Sequence, residues 1–294
     1  MKTLTESTPR PTLGILHPGE MGLSIAASAQ NSGYSVYWIA AGRSPQTAER
    51  AKRIGLIDAG SLAALCEACS VIASVCPPHA AEDVARSVAN LGFSGLYVDM
   101  NAIAPQRAIR IAKVVTAQGA MFVDGGIIGG PAWNAHSTWL YLSGPEAQAA
   151  ADCFAAGPLE TAVIGSEVGK ASALKMCYAA LTKGTTALLC GVLAAAEALE
   201  VRADLEGQWA REDSAQPDKN IQRARQVTAK AWRFAGEMDE IAATFDDAGL
   251  PDGFHRAAGE LYQRMAGFKD AASLPPLEAV LAALLQNVED GKPA

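Results

Sequence analysis

The sequence predicts an α/β domain built on a doubly wound parallel sheet, followed by an all-α domain. From residue 13 to 165, short apolar runs alternate with helical patterns, as crossover connections between parallel strands require. After residue 165 the strand patterns stop and only helical periodicity continues. Half of the residues are hydrophobic and 19% are charged, which is typical of a packed globular chain. The expected domains are therefore residues 1–165 and 166–294.

The individual helices and strands are predicted from the periodicity of hydrophobic residues and from the positions of Gly and Pro. β-branched and apolar runs predict strands, amphipathic runs predict helices, and Gly and Pro separate them. The strands of the first domain are expected at 13–16, 34–40, 70–75, 95–99, 120–124 and 139–142, and its helices at 20–32, 47–54, 80–90 and 105–118. In the second domain the sequence predicts one long helix or two end to end over 166–200, an exposed connection over 202–219, and helices at 221–245, 251–266 and 276–288.

Charge and hydropathy argue against two classes of partner. The net charge is −7 and no block of Lys and Arg is present, so nucleic acid is a poor partner. The segment 1–12 lacks the apolar core of a secretory signal, and the apolar stretch 184–196 is shorter than the roughly 20 residues that span a bilayer. We therefore expect a cytoplasmic protein with no membrane partner.

The six cysteines are irregularly spaced and mostly lie in apolar runs. Cys66 and Cys69 form a C-x-x-C pair, but a redox or metal role needs a second pair or a redox-type fold. Free buried thiols are the expected state, and no His, Cys, Asp or Glu cluster has the spacing of metal ligands.

A glycine-containing loop, GILHPGEMG at residues 14–22, joins the first strand to the first helix. This is where a dinucleotide pyrophosphate binds, because small residues let the backbone amides approach the phosphates. Gly19 and Gly22 have the spacing of the second and third fingerprint glycines, and His17 occupies the first position. The loop predicts dinucleotide binding; the alternative is a tight strand-to-helix turn with a locally satisfied histidine.

The end of the second strand indicates which nicotinamide cofactor to expect. NAD-selective folds place an acidic residue there, whereas this strand is followed by Arg43 and Ser44. These two side chains suit a 2′-phosphate through charge-assisted hydrogen bonds. NADP is therefore the predicted cofactor, the alternative being that Arg43 is a solvated loop residue.

Four segments in this order resemble the β-hydroxyacid dehydrogenases, a family that includes 3-hydroxyisobutyrate dehydrogenase, tartronate semialdehyde reductase and the N-terminal half of 6-phosphogluconate dehydrogenase. They are the loop 14–22, VDMNAIAP at 98–105, FVDGGIIGG at 122–130 and VGKASALK at 168–175. The resemblance covers about residues 13–185 and implies a Rossmann-type domain with a helical domain that shapes the substrate site and forms a dimer. Residues 190–290 are similar to a less-characterised subgroup.

The resemblance also implies site residues. Lys175 matches the catalytic lysine, which donates or accepts the proton that accompanies hydride transfer. Ile128 stands where the family has a substrate-binding serine, Ala179 replaces an asparagine and Ala171 a glycine, so cofactor binding carries over more safely than substrate. The expected cofactor-binding residues are His17, Pro18, Gly19, Glu20, Met21, Arg43, Ser44, Cys76 and Asn101; the expected substrate-binding residues are Ile128, Gly129, Gly130, Ala179 and Thr182.

Helix geometry places Thr182 and Thr186 on the face of Lys175, where a hydroxyl could hold a substrate oxygen in place of the missing asparagine. The alternative is that these hydroxyls bond to helix carbonyls. The expected activity is an NADP-dependent dehydrogenase or reductase acting on a β-hydroxy acid, aldehyde or related carbonyl. An imine reductase and a catalytically inactive NADP-binding sensor or scaffold remain alternatives. The apolar helix 176–199 predicts a homodimer.

Overall fold

The computed structural model describes residues 11–286. The chain divides into two compact units, Met1–Lys175 and Met176–Ala294. The division lies inside a 29-residue helix, Lys170–Ala198, and the predicted boundary near residue 165 lies in the loop that precedes this helix.

An eight-stranded sheet with the order β3-β2-β1-β4-β5-β6-β7-β8 organises the first unit. All neighbouring strands pair in parallel except β6 and β7, which are antiparallel. The predicted α/β fold with a parallel-dominated sheet is confirmed. The strands are β1 Thr12–Leu16, β2 Ser35–Trp38, β3 Ile57–Asp58, β4 Val71–Ser74, β5 Leu96–Asp99, β6 Met121–Gly129, β7 Thr138–Ser143 and β8 Glu160–Val163; the helices are α1 Glu20–Asn31, α2 Pro45–Arg53, α3 Leu62–Ala68, α4 Ala81–Asn90, α5 Pro105–Thr116 and α6 Ala147–Asp152, with a 3-10 turn at Pro78–Ala80.

The central strands are buried on both faces, as the crossover helices require. Every residue of β4 and β5 is buried, and β1 is buried after its first residue. One face packs around Leu13, Ile15 and Val98, and the other around Ile72 and Tyr97. The sheet therefore has a hydrophobic core layer on each side. Polar side chains occur where the central strands end, at the carboxyl edge of the sheet.

Several short elements of the first unit were not predicted. β3 has two residues, and α3 and α6 have seven and six, too few for a period to emerge. β8 is an edge strand with intermediate or exposed residues, so no apolar alternation marks it. The strand predicted to end at residue 124 continues through two glycines to Gly129, because β7 pairs with its second half.

The second unit is helical. The predicted long helix over 166–200 is a single helix, α7, with the bounds Lys170–Ala198. The predicted connection over 202–219 is wrong, because it contains a further helix and the start of the next one. Pro217 lies in the first turn of that helix, where proline needs no amide partner. The helices are α8 Arg202–Glu212, α9 Gln216–Asp247, α10 Gly253–Arg264 and α11 Leu277–Leu285, with a 3-10 turn at Ala266–Phe268; the last two residues of the helix predicted over 276–288 lie outside the described residues.

Helix α7 is the one helix between residues 11 and 286 that is long and apolar enough to cross a membrane. Half of its most apolar 18-residue window is buried inside the protein, as in a core helix, so length and composition are weak evidence here. The six cysteines are free, and burial raises the pKa of the Cys66 thiol to about 11 and that of Cys69 to about 12. These two thiols are therefore protonated and unreactive at neutral pH.

Candidate functional site

The carboxyl edge of the sheet has a topological switch point between β1 and β4, where the loops of an open α/β sheet leave a crevice. β1 pairs with β2 on one side and with β4 on the other, so the strand order reverses there. The register places Leu16, Ser74, Asp99 and Asp124 side by side as the last paired residues of β1, β4, β5 and the parallel part of β6. The loops that follow these four residues form the candidate site.

The loop after β1 has the backbone that phosphate binding needs. His17 has φ +63°, a left-handed conformation that glycine adopts without strain, and it occupies the position of the first fingerprint glycine. A Cβ on Gly22 would lie 2.8 Å from the His17 carbonyl oxygen, so only glycine fits there. Gly19 precedes α1 with open space around it, which leaves the amino end of the helix accessible to an anion.

His17 itself is half-buried. Its Nδ1 atom is enclosed and has no hydrogen-bond partner among residues 11–286. Burial, with a smaller contribution from the Arg43 guanidinium, lowers the pKa of His17 to about 4. The imidazole is therefore neutral at physiological pH. Of the neighbouring loop residues, Pro18 is buried, Met21 is half-buried and Glu20 is exposed with an ion pair to Arg50 at 3.5 Å.

The end of β2 carries one cation and one carboxylate. Arg43 is half-buried and has no ion-pair partner in the described part of the chain. The Ser44 hydroxyl is already used, because it accepts the Thr47 amide at 3.2 Å and caps α2. Asp58 at the end of β3 accepts the Ala40 amide at 3.1 Å, so an acidic side chain does lie beside the end of β2. Asp58 was not predicted from the sequence, because only the pairing of β2 with β3 brings it beside the end of β2.

Asn101 joins the loops after β4 and β5. Its side-chain oxygen accepts the Cys76 amide at 2.5 Å, and its amide nitrogen donates to the Ser74 hydroxyl at 3.1 Å. Asn101 is 2% exposed, so these bonds replace solvent completely. Burial raises the pKa of the Cys76 thiol to about 12, which keeps it protonated. The structure thus brings the predicted residues Cys76 and Asn101 together. Ser74 is a third residue of this hydrogen-bonded group, and the sequence analysis did not predict it.

Asp99 lies under this bridge. One carboxylate oxygen accepts the Asn101 amide at 3.0 Å, and the other is buried with no partner among the described residues. Burial is the main cause that raises the pKa of Asp99 to about 7, and the neighbouring Asp124 charge adds to it. The crevice floor therefore contains a carboxyl group that gains or loses its proton near neutral pH.

Lys175 lies against the backbone of β6. A Cβ placed on Gly126 would come within 3.0 Å of the Lys175 Cβ and 2.5 Å of the Ala171 carbonyl oxygen. Glycine at position 126 therefore lets α7 approach the strand closely. Gly126 is two residues beyond Asp124, and Lys175 is half-buried. The predicted catalytic lysine thus stands beside the carboxyl edge of the sheet, in the same unit as the phosphate loop.

The predicted substrate loop ends β6. Ile128 is half-buried, and Gly129 and Gly130 are exposed. Gly129 has φ +129° and pairs with Thr138, whose hydroxyl donates to the Gly130 carbonyl oxygen at 2.6 Å. The loop is therefore ordered by β7 and presents an apolar side chain at the position where the resembling family has a serine.

Two predicted substrate residues lie further along α7, in the second unit. Ala179 is completely buried. Thr182 is exposed, and its hydroxyl donates to the Tyr178 carbonyl oxygen at 3.1 Å. The Thr186 hydroxyl donates to the Thr182 carbonyl oxygen at 2.8 Å and accepts the Arg223 guanidinium at 2.9 Å. Both threonines thus make the helix-carbonyl bonds of the alternative interpretation, and the assignments of Ala179 and Thr182 to substrate stay predictions.

No group of three or more potential metal-binding side chains occurs between residues 11 and 286. The residues that the structure brings to this edge of the sheet are the glycine-containing loop after β1, Arg43 after β2 and Lys175 beside β6.

Over residues 12–155 the chain matches the family described as the NAD binding domain of 6-phosphogluconate dehydrogenase. The first domain is similar to this family over nearly its whole length. Residues 196–265 match a second family, described as domain of unknown function DUF1932. The resemblance inferred from the four motifs is confirmed, including its extension into a less-characterised C-terminal domain.

A curated relative, an uncharacterised 28.5 kDa protein of Methanothermus fervidus, is 32% identical over 175 residues. The match covers 57% of this chain and 66% of the relative, just under two thirds of its length. Among solved structures, a conserved protein with structural similarity to 3-hydroxyacid dehydrogenases is 26% identical, with a TM-score of 0.63 over 87% of this chain and 97% of its own.

The fold is shared more widely. A 3-hydroxyisobutyrate dehydrogenase of Salmonella typhimurium has a TM-score of 0.65 at 18% identity, over 92% of this chain and 99% of its own. An imine reductase of Myxococcus stipitatus in complex with NAD+ has a TM-score of 0.54 at 18% identity, over 95% and 100%. At these identities the likeness shows the fold alone.

Proposed function

We propose that the protein is an NADP-dependent oxidoreductase that transfers a hydride between nicotinamide and a β-hydroxy acid, aldehyde or related carbonyl compound. The observation that carries this proposal is the approach of Lys175 to Gly126. It supports the role of Lys175 because this lysine starts from the backbone of β6, in the unit that matches a nicotinamide-binding domain. A dehydrogenase needs an acid–base group there, because the alcohol oxygen gains or loses a proton as its carbon gains or loses a hydride.

The residues of the loop fit a dinucleotide. The open amino end of α1 at Gly19 and the close approach of Gly22 to the His17 carbonyl oxygen form a cradle for a pyrophosphate. Arg43 would hold the 2′-phosphate, and Asn101 would keep the Cys76 loop in place beside the nicotinamide. When bound, the nicotinamide supplies or accepts the hydride; the protein orients the substrate and manages the proton.

Lys175 would perform the proton step. In the direction of reduction, its ammonium donates a proton to the carbonyl oxygen as that oxygen becomes negatively charged, giving the alcohol and a neutral amine. Water then returns a proton to the amine. In oxidation the same amine accepts the hydroxyl proton. The positive charge also stabilises the developing alkoxide, because the developing charge lies within a partly buried site.

Two side chains near the end of β2 favour different cofactors. Arg43 has no ion-pair partner among residues 11–286 and favours NADP, whereas Asp58 lies near the end of β2, where an acidic residue favours the free ribose hydroxyls of NAD. We favour NADP because both hydrogen bonds of the Asp58 oxygen Oδ1 go to backbone amides, those of Ala40 and Gly60. The guanidinium of Arg43 has no such engagement in an ion pair between residues 11 and 286.

The same fold occurs in imine reductases and in reductive aminases. Reduction of a C=N compound is therefore the second candidate. Ile128 supports it, since an apolar side chain replaces a carboxylate-binding hydroxyl of the resembling dehydrogenases. An NADP-binding sensor without catalysis is the third candidate, supported by the burial of Ala179 in place of the expected asparagine.

We further infer that the protein acts as a homodimer through its second unit. The solvent-facing side of α7 carries exposed residues in alternating steps of three and four, the spacing of a helix that packs on another helix. They are Tyr178, Leu181, Thr185, Leu188, Val192 and Ala195. Beside them, α7 and α10 form an apolar groove of about 310 Å³ lined by residues such as Leu188, Phe254 and Leu261. A cytoplasmic location without nucleic-acid or membrane partners remains a prediction of the composition.

One screen tests the catalytic proposal. NADPH oxidation is followed with aldehydes, keto acids and imines, using wild type, Lys175→Ala and Lys170→Ala. Lys170 is the matched control, because it begins the same helix but is exposed and ion-paired with Glu167 at 3.1 Å. We expect turnover of a carbonyl substrate that Lys175→Ala lowers by about 100-fold or more while Lys170→Ala has little effect. Turnover of imines alone would favour the second candidate, and equal rates for both variants would refute the role of Lys175.

A further inference from the structure

The first turn of α7 is held by a carboxylate from the sheet. Asp124 lies where the parallel part of β6 ends. One of its oxygens, Oδ2, accepts the backbone amides of Gly169 and Ser172, both at 3.0 Å. The other, Oδ1, accepts the Ser172 hydroxyl at 2.6 Å. A single side chain therefore satisfies two of the amides that the start of an α-helix leaves without partners.

Ser143 completes the attachment from the neighbouring strand. It is the register partner of Asp124 in the β6–β7 pair. Its hydroxyl donates to Asp124 Oδ2 at 3.1 Å and accepts the Ala171 amide at 3.0 Å. The side chains of Asp124, Ser143 and Ser172 are all at most 1% exposed, so no water competes for these bonds. Burial raises the pKa of Asp124, and the four hydrogen bonds counteract that change.

The attachment acts at the turn that sets the position of Lys175. Ala171 precedes Lys175 by four residues, which is one helical turn, so both lie on the same face of α7. Gly126, two residues after Asp124, allows the strand to contact this face at Ala171 and Lys175. Two contacts therefore hold this face of α7 against the sheet: the hydrogen bonds at the amino end of the helix and its close approach to Gly126.

We propose that Asp124, Ser143 and Ser172 are positioning residues for Lys175. They anchor the first turn of α7 to β6 and β7, so that the Lys175 side chain is held beside the backbone of Gly126. This inference rests on the proposed catalytic role of Lys175. It assigns a task to three buried polar residues whose side chains bond to one another and to the start of α7. Anchoring at hydrogen-bond precision matters because small displacements of a proton donor reduce turnover strongly.

Variants of the two serines test the proposal with kinetics. Ser172→Ala and Ser143→Ala each remove one anchoring hydroxyl, and Ser172→Thr restores one. Ser28→Ala is the matched control, because Ser28 is a completely buried serine of the same unit whose hydroxyl donates to the Ser24 carbonyl oxygen of its own helix. We expect kcat to fall about 10-fold in each anchor variant and to recover in Ser172→Thr, with Kd for NADPH unchanged. Kinetics of both anchor variants that match those of Ser28→Ala would overturn the proposal.

A second measurement does not depend on turnover. The rate at which acetic anhydride modifies Lys175 is followed by mass spectrometry, together with amide hydrogen exchange over residues 171–175. Both rates should rise severalfold in Ser172→Ala and Ser143→Ala and stay constant in Ser28→Ala. If these rates rise in a protein that reduces no substrate, the anchoring stands and the proposed function fails. If the protein is active and neither rate changes, the anchoring fails and the proposed function stands.

Discussion

The side-chain oxygen of Asn101 accepts the backbone amide of Cys76 at 2.5 Å, across the loops that follow two neighbouring strands. The two residues are 25 positions apart, and the bond fixes the width of the crevice between their loops. The Asn101 amide nitrogen extends the link to Ser74, the last residue of β4. One asparagine thus shapes the part of the crevice beside the expected nicotinamide.

Replacing this asparagine should cost both stability and cofactor affinity. Asn101→Ala leaves the Cys76 amide and the Ser74 hydroxyl without their partner, and each lost buried hydrogen bond is worth about 1–2 kcal/mol. We expect the free energy of unfolding to fall by roughly 2–3 kcal/mol in urea titrations, and Kd for NADPH to rise. Asn90→Ala, at the exposed end of α4, is the control. Unchanged stability would show that water replaces the amide at no cost.

The backbone of His17 predicts a substitution that stabilises the protein. A non-glycine residue at φ +63° costs about 1 kcal/mol or more, and the enclosed Nδ1 atom adds to that cost. We expect His17→Gly to raise the free energy of unfolding by about 1 kcal/mol, after the greater flexibility of glycine in the unfolded chain is counted. His136→Gly is the control, because His136 has φ +59° but is exposed and ion-paired with Glu160.

This stabilisation should depend on pH. The folded-state pKa of His17, about 4, lies below the ordinary value of 6.5, so the unfolded chain binds more protons between these values. The wild type therefore loses stability as pH falls from 6.5 to 4. The gain from His17→Gly should be larger at pH 5 than at pH 8 in denaturant titrations. A gain that is constant with pH would contradict the buried, neutral imidazole.

Cofactor preference should depend on Arg43. A ligand that binds only the folded state raises the melting temperature, so NADPH should raise it more than NADH does in the wild type. Arg43→Ala should remove this difference by lowering the NADPH shift alone. Arg53→Ala, in the exposed last turn of α2, should keep the difference. Equal shifts in the wild type would refute the role of Arg43, and a larger NADH shift that Asp58→Asn removes would assign selectivity to Asp58 instead.

The sequence predicts those parts of the fold and site that depend on neighbours along the chain. The loop 14–22, its fingerprint glycines Gly19 and Gly22 and the helical pattern after residue 165 are local signals, and the structure contains each of them. Asp58, Ser74 and Ser143 were missed for the opposite reason. Their partners lie 18, 27 and 19 or more residues away, and only strand pairing brings them together.

The helix over Arg202–Glu212 was missed because its face pattern is weak. None of its residues is buried, so no apolar stripe distinguished it from a charged connection. The charged segment 202–219 contains Gly207 and Pro217, and these two residue types often end helices, which is why the sequence predicts an exposed connection there. Gly207 has open space around it inside the helix, and Pro217 begins the next helix. Glycine and proline thus mark a boundary in only one of these two cases.

The buried carboxyl of Asp99 predicts a second pH dependence, opposite in sign to that of His17. Its folded-state pKa, about 7, lies above the ordinary value of 3.8, so the folded protein keeps a proton that the unfolded chain has lost. Stability is therefore lost as pH rises from about 4 to 7 and is constant above that range.

Asp99→Asn removes this titration and retains a similar shape. Relative to the wild type, the variant should become progressively more stable from pH 4 to pH 7, as measured by urea unfolding at each pH. Asp83→Asn on the exposed face of α4 should show no such trend. A wild type whose stability difference from Asp99→Asn is constant between pH 4 and pH 7 would mean that Asp99 is ionised throughout.

The exposed residues on one side of α7, at positions 178, 181, 185, 188, 192 and 195, form a stripe that predicts the assembly state. Leu181 and Leu188 are 70% and 52% exposed, which is unfavourable for two leucines on one helix face unless another surface covers them. Light scattering should therefore report twice the 30.5 kDa chain mass for the wild type. The double variant Leu181→Glu, Leu188→Glu should report the single-chain mass, because it would bury four unpaired carboxylates in a symmetric interface. Leu91→Glu, at an exposed site of the first unit, should remain dimeric. A wild type of single-chain mass, or a dimeric double variant, would mean that the stripe does not join two copies of this chain.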